Sequence, residues 1–237
     1  MRFDVVIYLG IEQLQEAGRR KPVPMKQVSH QVWLSKLQTQ KAIAVIRAPK
    51  IELGLEMALA VAAGGMQLIE ITWNSDRPGE LITQLRRQLP ECTIGTGTLF
   101  NVQQLQNAIA SGAEFLFTPH VDSAMIQAAV QQDVPIIPGA LTPTEIVTAW
   151  AYGASCVKVF PVQAVGGASY IKSLQGPLSH IPLIPTGGVT LDNAPEFIQA
   201  GAMAVGLSGE LFPKQLIIQR DWQAIAQLAS DLLQNLS

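Results

Sequence analysis

Two charged residues stand where charge is expensive. Lys158 lies in the middle of Cys156-Val157-Lys158-Val159-Phe160, and Glu70 in the middle of Leu68-Ile69-Glu70-Ile71-Thr72. Both runs read as parallel strands, which are covered on two faces, so each charge must leave water. A desolvated lysine loses its preference for the charged form and becomes a free amine able to attack a ketone and form an imine. The imine is an electron sink, and a carboxylate facing it can carry protons during carbinolamine dehydration and carbon–carbon cleavage. The same two residues also suit a buried ion pair that does no more than fix the fold.

A second group of residues has the chemistry of a phosphate site. Thr186-Gly187-Gly188-Val189 and Gly206-Leu207-Ser208-Gly209 each follow a short apolar run, and glycines let backbone N–H groups approach phosphate oxygens. The hydroxyls of Thr186 and Ser208 can add hydrogen bonds, and a helix beginning near Asp192 and Asn193 adds donors nearby. The plainer alternative is a pair of ordinary tight turns. Arg47, Thr96, Thr98 and Pro119-His120 also follow strand-like runs and suit a small polar pocket. Arg47 can pair with a carboxylate or phosphate or be a solvated surface charge, and His120 can relay protons or have no catalytic task. Thr142-Pro143-Thr144-Glu145 reads as a capped helix start, not as an acid.

These residues need a frame, and from Ala42 onward short apolar runs alternate with longer helical patterns, the signature of βα units. The expected strands are Ala42 to Ile46, Leu68 to Thr72, Thr93 to Gly95, Phe115 to Thr118, Val134 to Ile137, Cys156 to Phe160, Leu183 to Pro185 and Ala204 to Leu207. Eight is the closure number of the (β/α)8 TIM barrel, whose chemistry sits where strands end and whose phosphate site follows strands seven and eight. Gly64-Gly65, Gly112-Ala113, Gly153-Ala154 and Gly201-Ala202 recur before the even-numbered strands as helix C-caps. Strands two and six lie opposite each other in such a barrel, so Glu70 and Lys158 face across its axis. Between Gln27 and Lys41, Val28, Val32, Trp33 and Leu37 recur at helical spacing, as in a helix closing one barrel end.

Bulk properties agree with one enzyme-sized domain. The chain has 237 residues, 48% of them hydrophobic and 14% charged, which suits many buried strands and excludes a disordered tail. A net charge of -2 without basic runs gives no footprint for nucleic acid or an anionic membrane. Cys92 and Cys156 lack metal or redox spacing, as do His30, His120 and His180, so a reducing cytoplasm and no bound metal are expected. No apolar stretch is long enough to span a bilayer, and the run Val5 to Ile11 lacks a signal-peptide cleavage site. Residues 1–27, with Arg19, Arg20, Lys21, Pro22 and Pro24, read as an extension, with Met25 as an alternative start; residues 28–237 are expected to form the barrel.

Several motifs in order resemble the family of 2-keto-3-deoxy-6-phosphogluconate aldolases, which often also act on 4-hydroxy-2-oxoglutarate. They are Ala44-Val45-Ile46-Arg47, Ala63-Gly64-Gly65, Ile69-Glu70-Ile71-Thr72, Gly95-Thr96-Gly97-Thr98, Ile137-Pro138-Gly139, Val157-Lys158-Val159-Phe160-Pro161 and Pro185-Thr186-Gly187-Gly188-Val189. The resemblance implies a class I aldolase with Lys158 as Schiff-base lysine and Glu70 as general acid/base. It also implies that Thr98, Pro119, Phe160 and Thr186 line a pyruvate pocket, and that Gly187, Gly188 and Ser208 hold phosphate. A homotrimer needing no cofactor is implied as well. The expected substrate is cleaved to pyruvate and glyceraldehyde 3-phosphate, or to pyruvate and glyoxylate from 4-hydroxy-2-oxoglutarate. Many members carry arginine four residues after the glutamate, where this chain has Asn74; Arg47 is expected to supply the positive charge. Asn74-Ser75 also resembles 2-keto-3-deoxy-6-phosphogalactonate aldolases. Two rivals remain: a phosphate-binding barrel of the thiamine-phosphate-synthase or isomerase type, and a phosphosugar-binding barrel without turnover.

Overall fold

Alternation of side chains along eight parallel strands sorts the apolar residues into two separate cores. The computed structural model of the chain describes residues 30–236. The expected extension, residues 1–27, lies outside them, as does Val28. The strands are β1 (Ala42–Ile46), β2 (Leu68–Thr72), β3 (Thr93–Gly97), β4 (Leu116–Thr118), β5 (Ile136–Ala140), β6 (Val157–Val159), β7 (Leu183–Pro185) and β8 (Val205–Leu207). They pair in sequence order, β1 also pairs with β8, and a parallel bridge between Thr186 and Gly206 joins the β7 edge to β8. The result is the expected (β/α)8 barrel.

Outward residues such as Ala44, Ile69, Ile94, Leu116, Val157 and Leu183 pack under the surrounding helices. Inward residues Ile43, Leu68, Phe115, Phe117, Ile137, Cys156, Ile184 and Ala204 fill the lower barrel. That end is closed by α1 (His30–Gln40), whose Trp33 and Leu37 are fully buried. Trp33 lies on the Phe115 ring with centroids 4.5 Å apart. Fully burying each such side chain contributes roughly 1.5–3 kcal/mol, which anchors the plug. Val32, expected on the same apolar stripe, is instead 48% exposed, because the barrel mouth accepts only the Trp33 and Leu37 side of the helix.

Strand boundaries differ from expectation mainly at β5 and β3. Val134 does not start β5, because its N–H is bonded to the Ala129 carbonyl at the end of the preceding helix, Ser123–Gln131. The ladder with β4 begins at Ile136 and runs through Pro138, and Gly139 and Ala140 then pair with Lys158 and Val159. Pro138 and Gly139 look like breakers in sequence, yet a Cβ at Gly139 would lie 2.7 Å from the Pro119 backbone. Similarly β3 continues to Gly97, whose carbonyl accepts from the Trp73 N–H at 2.7 Å. Elsewhere β4, β6 and β8 are shorter by a residue or two, the usual softness of element ends. The recurring glycines behave as expected: Gly65, Gly112, Gly153 and Gly201 all have φ between 95° and 100°, the left-handed cap that ends a helix before an even-numbered strand. Thr142 and Glu145 form the expected capping box.

Candidate active site

Two residues further along each strand, about 6.5 Å above the apolar floor, the inward side chains change from hydrocarbon to chemistry. Leu68 is followed by Glu70, Cys156 by Lys158, Ile184 by Thr186 and Ala204 by Gly206. Glycines at this level open a cavity of about 480 Å³ at the C-terminal end of the strands. Ten of the residues singled out from sequence line it: Arg47, Glu70, Thr98, Pro119, Lys158, Phe160, Thr186, Gly187, Gly188 and Ser208. Val45, Thr72, Val189, Thr190, Gly206, Gly209 and Glu210 complete the wall. Val45 and Thr72 were legible by the two-residue period, standing two positions from Arg47 and Glu70. Glu210 carried no such signal, since it lies beyond the strand. Four residues expected near the pocket, Thr96, His120, Asp192 and Asn193, do not line it. The Thr96 hydroxyl donates to the Ile71 carbonyl between strands. His120 stacks on Phe100 outside the cavity wall, and Asp192 is also absent from the lining.

Lys158 is only 8% exposed and Glu70 only 2%. Burial holds the Lys158 amine below its ordinary range; the Glu70 carboxylate opposes this and the Arg47 guanidinium reinforces it. Burial likewise raises the Glu70 carboxyl, partly offset by the positive charges of Lys158 and Arg47. Both groups are thus pushed toward their neutral forms. Among the described residues no ion pair joins Lys158, Glu70 or Arg47. No N–O contact within 4.0 Å links Lys158 to Glu70, and both line the same cavity. The Lys158 Nζ instead lies 4.6 Å from the Phe160 ring centroid and 5.7 Å from that of Phe117. Aromatic walls around a lysine extend its desolvation while leaving the nitrogen open to the cavity.

At the rim, Arg47 is exposed, and its guanidinium has no protein carboxylate partner among the described residues. Asn74 is exposed and does not line the cavity, while Ser75 is buried, within 3.1 Å of the Thr72 hydroxyl and accepting from the Ala48 N–H at the same distance. Position 74 therefore leaves Arg47 as the arginine of the site. Thr98 has φ 62°, a left-handed conformation costing a β-branched residue on the order of 1–2 kcal/mol, and this turn sets it into the cavity wall.

The two glycine turns meet above β7 and β8. Gly187 and Gly188 have φ 83° and 90°, and among the loop hydrogen bonds of the described residues none is donated by the Gly188 or Gly209 N–H. Asn193 closes the first turn, accepting from the Thr190 N–H at 2.7 Å and donating to the Gly188 carbonyl at 3.1 Å. The expected helix begins at Ala194 but spans only Ala194–Gln199, so the donors here are loop amides. Gly206 leaves room for the Thr186 hydroxyl, which a Cβ would approach to 2.7 Å. The arrangement places a buried amine, a buried carboxyl, an arginine and loop amides around one cavity. Among the described residues, no three or more His, Cys, Asp or Glu side chains cluster as metal ligands, and no helix is long and apolar enough to cross a membrane.

Comparison with known proteins gives the same architecture. The family model for KDPG and KHG aldolase matches residues 34–228. The KHG/KDPG aldolase of Escherichia coli strain K12 is 30% identical over 198 residues, covering 84% of this chain and 93% of its own. Among solved structures, the KDPG aldolase of Legionella pneumophila, with pyruvate captured as a covalent carbinolamine, superimposes with a TM-score of 0.78 at 26% identity, over 84% of this chain and 97% of that one. A native KDPGal structure gives a TM-score of 0.75 at 30% identity, over 82% and 93%.

Proposed function

The chain belongs to the KDPG and KHG aldolase family, and on that premise we propose that Lys158 is its Schiff-base lysine and Glu70 its general acid and base. The protein is a class I aldolase, a carbon–carbon lyase. Its reaction is reversible retro-aldol cleavage of 2-dehydro-3-deoxy-6-phosphogluconate to pyruvate and glyceraldehyde 3-phosphate, and of 4-hydroxy-2-oxoglutarate to pyruvate and glyoxylate. The observation that carries the residue assignment is the desolvated Lys158 amine, out of ion-pair contact with any carboxylate, facing Glu70 within one cavity.

The neutral amine adds to the C2 ketone, and loss of water from the carbinolamine gives the imine. Removal of the C4 hydroxyl proton then lets the C3–C4 bond break, its electron pair moving into the iminium to leave an enamine and the aldehyde. Glu70, held near neutrality by burial, is suited both to give a proton to the leaving carbinolamine hydroxyl and to take one from the C4 hydroxyl. Protonation at C3 and hydrolysis release pyruvate and restore the amine. Thr98, Pro119, Phe160 and Thr186 bound the pyruvate end, Arg47 faces the anionic substrate, and Gly187, Gly188 and Ser208 hold the phosphate. No cofactor takes part in these steps.

A second reading concerns configuration: Asn74-Ser75 and the KDPGal neighbour favour the galactonate epimer, and the ratio of kcat/KM for the two epimers decides it. Residues 28–237 form the catalytic unit in this reading, residues 1–27 an extension, and the assembly is a cytoplasmic homotrimer, which sedimentation velocity would report as three chains. The mechanism is tested by Lys158→Ala, which abolishes cleavage of both substrates while the fold persists by circular dichroism. Near-normal turnover in that variant would remove Lys158 from the reaction.

A further inference from the structure

Gly97 sits on β3 beside the acid/base, and its missing side chain is where the carboxylate lies. A Cβ built on Gly97 would stand 1.8 Å from Glu70 Oε1, 2.5 Å from its Cδ and 3.2 Å from its Cγ, and these three atoms of Glu70 are its nearest neighbours. The backbone around Gly97 has little freedom to retreat: Thr72 of β2 is its register partner, and its carbonyl accepts from the Trp73 N–H at 2.7 Å. Nor is a glycine needed for conformation, because Gly97 is not among the glycines with positive φ. Alanine at position 97 therefore meets no positive-φ penalty, and its nearest obstacle is the Glu70 carboxylate.

We propose that Gly97 is a positioning residue for the proton-transfer chemistry, fixing the Glu70 side chain against β3 so that its carboxyl is presented to the cavity from one direction. The inference rests on the reading of Glu70 as proton carrier. A methyl group at position 97 drives the carboxylate out of its slot, and a misplacement of about 1 Å at a reacting group costs on the order of 10²-fold in rate. The collision involves the far end of a side chain, so shortening that side chain by one methylene relieves it.

The test is deuterium exchange into the methyl group of pyruvate, followed by proton NMR, in the full-length protein. This half-reaction needs the Lys158 imine and a proton carrier but no aldehyde. Gly97→Ala is expected to slow exchange about 10²-fold, within the range set by a general acid–base group. Placed in a Glu70→Asp protein, the same substitution is expected to change exchange less than about threefold, since a shorter carboxylate clears the methyl group. The double variant also guards against a folding artefact, because its site has room for the added carbon. Gly97→Ala exchanging at the wild-type rate while Glu70→Gln loses exchange would overturn the proposal. An equal loss from Gly97→Ala with Glu or Asp at position 70 would overturn it too, leaving a merely structural glycine. Wild-type exchange in Glu70→Gln would remove the acid/base reading itself and the inference with it.

Discussion

Replacing Arg47 with methionine separates the two effects of its charge. The guanidinium lines the cavity but is exposed and lacks a protein carboxylate partner, so its counter-ion is expected to be the substrate. A hydrogen bond to a charged group contributes about 1.5–3 kcal/mol net; with the guanidinium in contact with water, the lower end applies. About 1.5 kcal/mol corresponds to a tenfold rise in KM, with kcat little changed because the contact exists before and during the reaction. The second effect acts through protons. Arg47 lowers both the Lys158 amine and the Glu70 carboxyl, so removing it lets both rise, and the free amine appears only at higher pH. The acidic limb of the kcat/KM profile therefore moves toward alkaline pH, an effect that solvent screening of an exposed charge attenuates. Steady-state cleavage, read by coupling pyruvate to NADH oxidation through lactate dehydrogenase at pH 5.5 to 9, measures both quantities. An unchanged KM with a depressed kcat, or an acidic limb moving toward lower pH, would refute the role given to Arg47.

Ser208→Ala is expected to raise KM for the phosphorylated substrate several-fold, about 1 kcal/mol for one neutral hydrogen bond, and to leave that for 4-hydroxy-2-oxoglutarate unchanged. Thr142→Ala removes half of the capping box at Pro143–Ala151 and is expected to cost about 1 kcal/mol in urea denaturation without altering kcat. Lys158→Met changes the pH dependence of stability. Between the depressed folded value of Lys158 and its ordinary value of 10.5, the unfolded chain holds a proton that the folded chain has shed, so this group's contribution makes stability rise with pH across that window. Methionine abolishes that contribution, which urea titrations at several pH values between 7 and 10 would detect.

The barrel and the residues that line its cavity were legible for a simple reason: in parallel strands buried on two faces, a charge at an apolar position is conspicuous. Lys158 and Glu70 stood out on that ground, and the alternation that buries Cys156 and Leu68 below them fixes their inward direction. Arg47, Thr98, Thr186 and Ser208 were found because loops after strands carry the site in this architecture. What failed to show were features set by neighbours in space. The expected fifth strand stopped at Ile137, before Pro138 and Gly139, because nothing local reveals that the backbone of Pro119 presses on Gly139. Thr96 looked like a pocket residue because its inter-strand bond to Ile71 depends on the β2 and β3 register. His120 appeared beside Pro119 in sequence but turns toward Phe100. Gly97 showed only as part of Gly95-Thr96-Gly97-Thr98, with nothing to mark its contact with Glu70, since that contact is the volume taken by a side chain 27 positions earlier.

The central claim is that carbon–carbon cleavage passes through an imine on one buried lysine. Borohydride reduction in the presence of pyruvate, followed by peptide mass spectrometry, tests it directly. The account predicts a single reduced pyruvate adduct on Lys158, with turnover lost in proportion to labelling. Folded, active protein with no adduct on any lysine, or with the adduct on a lysine outside the cavity, would contradict it.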